Sequence, residues 1–145
     1  MVTVTLGFVL APQPGNANLR VCKAGFKKFD ARVLTGLRCQ RVYFASGRGL
    51  CVGGFGLGDT YIFDDKLQRH ESPQVSGIPS RARVSWDGRY GAITMFVTGH
   101  AYDDAFFSTQ TTVVDMQSGA SLGDLEQFEV YRDGARFQAP DFNFW

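Results

Sequence analysis

Imidazole and carboxylate groups gather in one short stretch, where His100, Asp103 and Asp104 lie within five positions of Thr98-Gly-His-Ala-Tyr-Asp-Asp104. One imidazole and two carboxylates are a donor set for a divalent metal, and the same residues in a long loop also read as plain solvated polar groups. His70 lies too far along the chain to add a ligand. Gly53-Gly-Phe-Gly-Leu-Gly58 has the glycine density of a phosphate-binding loop. Such a loop must open a helix or end in Gly-Lys-Ser/Thr; here Asp59-Thr-Tyr-Ile-Phe63 follows and reads as a strand, so the glycines read as an inter-strand loop. No Ser or Cys has a His and an acid at suggestive positions, and Asp64 with Asp65 reads as a turn after a strand. No catalytic residue and no cofactor is therefore expected. Tyr43, Tyr61, Trp86, Tyr90, Tyr102 and Phe106 offer enough ring surface to floor a sugar or peptide site, and equally read as filling between packed sheets. Cys22, Cys39 and Cys51 fit no zinc spacing. They read as three small buried residues, with a Cys39 to Cys51 bridge as the alternative in an oxidising compartment.

The elements that must position these groups are strands. The chain has 145 residues, 44% hydrophobic and 20% charged, a size for one domain with a core of its own. It holds 13 Phe and 17 Gly, and Thr and Val alternate in short stretches punctuated by Asp-Gly, Ser-Gly and Gly-Gly pairs. That vocabulary predicts an all-β fold. No apolar run approaches the roughly 18 residues of a spanning helix, and the first ten residues lack the basic opening of a secretory signal. Charge is uneven along the chain. Residues 1–50 carry eight Lys or Arg against Asp30 alone, whereas 101–145 carry eight Asp or Glu against Arg132 and Arg136. Complementary ends that attract each other, within or between chains, are the simpler reading beside a nucleic-acid or membrane patch at one end.

The chain also repeats itself. Thr35-Gly-Leu37 aligns with Ser76-Gly-Ile78, and Ser46-Gly-Arg48 with Asp87-Gly-Arg89, at one offset of 41 residues. Tyr61-Ile-Phe-Asp64 aligns with Thr112-Val-Val-Asp115 at 51, which places an insertion around residues 98–107. Each unit reads as a strand (41–45 or 81–85), a glycine turn, a second strand (49–53 or 90–97) and a third (59–63 or 109–115). A further unit opens at Phe128-Glu-Val-Tyr131 with its own Asp133-Gly134 turn. Upstream, Val2, Val4, Leu6, Phe8 and Leu10 alternate as one face of a strand able to pair with that last unit. Leu19, Cys22, Phe26, Phe29 and Val33 recur at steps of three and four, so residues 17–33 read as a short basic amphipathic helix, or else a strand, that covers a sheet edge, with a membrane-surface or nucleic-acid element as the alternative.

Val84-Ser-Trp-Asp-Gly-Arg-Tyr-Gly-Ala92 resembles the blade motif of TolB-like β-propellers, the WD40-like PD40 repeat, with Trp86 where that motif carries Pro. The similarity extends over roughly residues 35–145. It implies a partial propeller, or half-propeller, of two to three antiparallel blades: residues 1–34 as an N-terminal region, 35–75 and 76–126 as blades, and 127–145 as the start of a third. Its structural turn residues are Ser85, Asp87, Gly88, Gly47 and Gly134. A closed ring needs at least four blades of roughly 40 residues, more than this chain holds. A non-catalytic interaction or scaffold module that self-associates is the expectation, most simply a homodimer whose two copies reach the roughly 270 residues of six blades. The interface would use the apolar Phe142, Phe144 and Trp145, with no nucleic acid and no membrane span. The alternative is a ligand-binding or metal-assisted hydrolytic site on the 98–107 loop. The resemblance also implies an extracytoplasmic setting, in the cell envelope or periplasm.

Overall fold

The computed structural model describes the backbone of residues 6–13, 16–25, 32–53, 60–98 and 108–137, and side chains for 35–53, 60–97 and 108–137. Strands β1 (Leu6–Gln13), β2 (Asn16–Gly25) and β3 (Arg32–Cys39) form the first antiparallel sheet. The second contains β4 (Arg41–Ala45), β5 (Arg48–Val52) and β6 (Tyr61–Asp64). The third contains β7 (Ile78–Val84), β8 (Tyr90–Thr98), β9 (Ser108–Asp115) and β10 (Ser121–Asp124). A 3-10 turn, Leu125–Gln127, leads to the hairpin of β11 (Val130–Arg132) and β12 (Ala135–Phe137). In each sheet, strands adjacent in sequence are adjacent in space. The fold is all-β, with no α-helix among the described residues.

No helix forms among the described residues of 17–33. Residues 16–25 are β2, paired with β1 on one side and β3 on the other. Two neighbouring strands satisfy the backbone along its length, whereas Gly25 would have cost the helix about 1 kcal/mol. β1 also differs from expectation, because it pairs with β2 and not with the last unit. Joining neighbours across two residues costs far less chain entropy than closing a loop of more than a hundred. Its ladder shifts register between Ala11 and Gln13, at Pro12, which has no N–H to contribute.

The second sheet has both faces covered. From β5 and β6, Leu50, Val52 and Ile62 point to one side and join Ala82, Val84, Ile93, Met95, Val114 and Met116 of the third sheet and its following turn. Cys51, Tyr61 and Phe63 point to the other and join Leu37 and Cys39 of β3. Burial on both sides explains why β5 and β6 read as unbroken apolar runs instead of alternating. Phe63 lies over Gly49, where a Cβ would stand 2.1 Å from its ring, and stacks on Phe44 at 5.9 Å between centroids. Cys39 and Cys51 are disulfide-bonded, tying β3 to β5 across a Cα–Cα distance of 5.3 Å. Both are fully buried.

The two central units match strand for strand. After β6 the chain turns at Asp64 and returns alongside it. Ile62 donates to the Glu71 carbonyl (2.9 Å) and His70 to the Ile62 carbonyl (2.8 Å), so 68–71 act as a fourth segment, as β10 does beside β9. Asp64 and Asp115, aligned in sequence, organise the corresponding turns. Asp64 Oδ1 accepts from the backbone of Lys66 and Gln68, and Asp115 Oδ1 from that of Gln117 and Ser118.

Candidate functional site

Two turns meet at one end of the second and third sheets. The β4–β5 hairpin turns on Ser46 and Gly47, both with positive φ (46° and 79°), the two-residue turn that matches strand twist. The β7–β8 loop is longer. Ser85 donates its hydroxyl to Asp87 and accepts from the Tyr90 N–H at 3.0 Å, while Asp87 accepts from the Arg89 N–H at 3.0 Å. The Ser85 hydroxyl, then the Arg89 amide, holds the Asp87 carboxyl below its usual range. Only Gly88 in this loop has positive φ, so Asp87 serves as acceptor and not as the left-handed residue that an Asp-Gly pair suggests. The aligned turns touch: the Ser46 hydroxyl donates to the Trp86 carbonyl, and a Cβ on Gly88 would stand 3.2 Å from that of Ser46. Asp133 and Gly134 make the corresponding positive-φ turn of β11–β12.

Beside these turns lies a polar cleft of about 430 Å³, walled by Ser46, Gly47, Arg48, Asp64, His70, Glu71 and, from the third sheet's β9–β10 turn, Gln117. His70 Nε2 lies 3.0 Å from Asp64 Oδ2, with the imidazole side chain 42% exposed. The backbone N–H of Gln68, with His70 and the N–H of Lys66, holds the Asp64 carboxyl below its usual range against the opposing effect of burial. Asp64 therefore stays anionic and orients the ring. Arg48, opposite Asp64 across the β5–β6 ladder, donates through Nη1 to the Met116 carbonyl at 2.8 Å and so pins the floor of the cleft to the neighbouring sheet. Glu71 packs against Gly119, where a Cβ would stand 2.5 Å from its own.

These groups were missed in sequence because His70 pairs with a residue six positions earlier, across a turn whose return segment is not a regular strand. The legible signal was Asp64, the last residue of an apolar strand and the start of a turn. A second carboxylate pair, Asp124 and Glu126, closes the end of β9. Glu126 Oε2 accepts from the Thr111 N–H at 2.9 Å, and Oε1 is buried with no partner among the described residues. Burial, then the adjacent Asp124, pushes the Glu126 carboxyl up.

His100, Asp103 and Asp104 lie outside the described residues, as do the Gly54–Gly58 glycines, Tyr102, Phe106, Phe142, Phe144 and Trp145. Among the described residues no three His, Cys, Asp or Glu side chains are grouped to hold a metal. The aromatic residues divide: Tyr61 is buried in the core, whereas Tyr43 and Tyr90 are partly exposed and Trp86 is 89% exposed, so filling between sheets does not describe these three. No described helix is long and apolar enough to cross a membrane. Comparison of the chain with protein-family models, curated proteins and solved structures finds no match.

Proposed function

We propose that the chain is a partial β-propeller of the TolB-like kind, a non-catalytic interaction module that self-associates into a homodimer. The observation that carries this reading is the packing of the second sheet on the third. Two antiparallel meanders with four segments each lie face to face, and the turns aligned at an offset of 41 residues meet as Ser46 against Trp86 and Gly88. Successive blades of a propeller pack in this manner. The first sheet is then an additional layer on the other face of the first blade, and β11–β12 is the opening hairpin of a third. That hairpin exposes Tyr131 and Phe137, with Phe128 just before it, more apolar surface than an isolated two-stranded ladder leaves bare without a partner. The partner is a second copy, because the acidic 101–145 portion complements the basic 1–50 portion.

Light scattering at low and at high salt, on the full chain and on a chain ending at Pro140, tests this. The expected result is a dimer at micromolar concentration that weakens as salt screens the attraction, and weakens further without Phe142, Phe144 and Trp145. A stable monomer of the full chain in low salt overturns it.

A further inference from the structure

The polar cleft is unused by the self-association just described, and its chemistry is specific. No Val, Leu, Ile, Met, Phe, Tyr or Trp side chain lines it, which disfavours an apolar ligand. Its charges are not equally occupied. Asp64 is satisfied by two backbone N–H groups and His70. Among the described residues, Glu71 contributes only its backbone carbonyl, to Ile62, which leaves its carboxylate without a partner. Arg48 uses Nη1 on the Met116 carbonyl, and its other guanidinium nitrogens are not engaged among the described residues. One cation and one anion thus stand ready on the walls of a single cleft, with the second nitrogen of the oriented His70 and the Gln117 amide beside them.

Their spacing sets the length of a ligand. Arg48 lies on β5 opposite Asp64, and Glu71 on the return segment opposite Ile62, two strand spacings across and two residues along, or roughly 12 Å apart at the backbone. Long side chains on both walls shorten that gap toward the roughly 7 Å that two extended residues span. The volume, about 430 Å³, is that of roughly fourteen liquid waters, enough for two small residues.

We propose that this cleft binds a short zwitterionic peptide, of dipeptide size, with its carboxylate on Arg48 and its ammonium on Glu71. Asp64 is a positioning residue that presents the His70 imidazole to the peptide's central amide.

The test is isothermal titration calorimetry with L-alanyl-L-alanine, its N-acetyl form and its C-terminal amide. The parent protein is expected to bind the free dipeptide and to bind each capped form about tenfold or more weakly, the usual size of one lost charge-assisted hydrogen bond. Glu71→Gln should lose affinity for the free dipeptide by a similar factor and leave the N-acetyl form unchanged. Because the Glu71 carboxylate supports nothing else among the described residues, this variant is expected to keep the parent's thermal midpoint. Arg48→Gln should equalise the free dipeptide and the amide, with its fold checked by near-ultraviolet circular dichroism because Arg48 also anchors Met116. Absence of binding by the parent at millimolar dipeptide, equal binding of capped and free forms, or undiminished binding by Glu71→Gln overturns the proposal.

Discussion

The second sheet and the β11–β12 hairpin are built from the same kind of strand and stand at opposite extremes of support. Leu50, Val52, Ile62 and Phe63 have no exposed surface, and cores lie on both sides of their strands. In the hairpin every described side chain except Val130 is exposed. Both have glycine turns with positive φ, at Gly47 and Gly134, and regular antiparallel ladders. The difference teaches that turn chemistry and pairing suffice to shape a ladder, whereas its stability comes from what covers the two faces.

The comparison breaks most readily at Phe63. Phe63→Ala should cost about 3–5 kcal/mol, because the ring fills the space above Gly49 and the structure cannot collapse around it. Tyr131→Ala in the hairpin should stay within about 0.5 kcal/mol. Urea unfolding monitored by fluorescence measures both, and equal costs would remove the distinction. Next in size is the disulfide that joins the first two sheets. Replacing Cys39 and Cys51 together by Ala should lower stability by about 2–4 kcal/mol. Unreduced, denatured protein should titrate with one thiol, from Cys22, and a count of three would show that the staple is absent. The smallest effect compares two turns. Gly88→Val should cost about 1 kcal/mol or more through its positive φ. It should exceed Gly134→Val, because Gly134 shares the φ but has open space where Gly88 meets Ser46. Thermal melts of the two variants, if indistinguishable, would show that the contact between aligned turns contributes nothing.

Much of the fold was readable in the chain. The strands expected at 41–45, 49–53, 59–63, 81–85, 90–97 and 109–115 correspond to β4 through β9 within a few residues, and the Asp133-Gly134 turn lies where its pair indicates. These features are local. Glycine admits a positive φ without steric cost whatever surrounds it, and alternation reports which side of a strand is wet.

Misreadings arose where the deciding partner is distant in sequence or in another layer. The three-and-four spacing over 17–33 is a real pattern, yet β1 and β3 on either flank made residues 16–25 a strand. Spacing left the cysteines open between free thiols and a bridge, and the layering of β3 on β5 decided it. His70 looked isolated because only the turn after Asp64 folds it back onto that carboxylate. The cleft needed more still, since Arg48 and Gln117 come from different sheets. By itself, then, the sequence determined an all-β chain, its turns and most of its strands, because backbone preference and side-chain alternation act within a few residues. Tertiary structure alone decided which sheet is covered on both faces, which thiols join and which charges share a cleft, because each depends on side chains that only the stacking of sheets brings within reach.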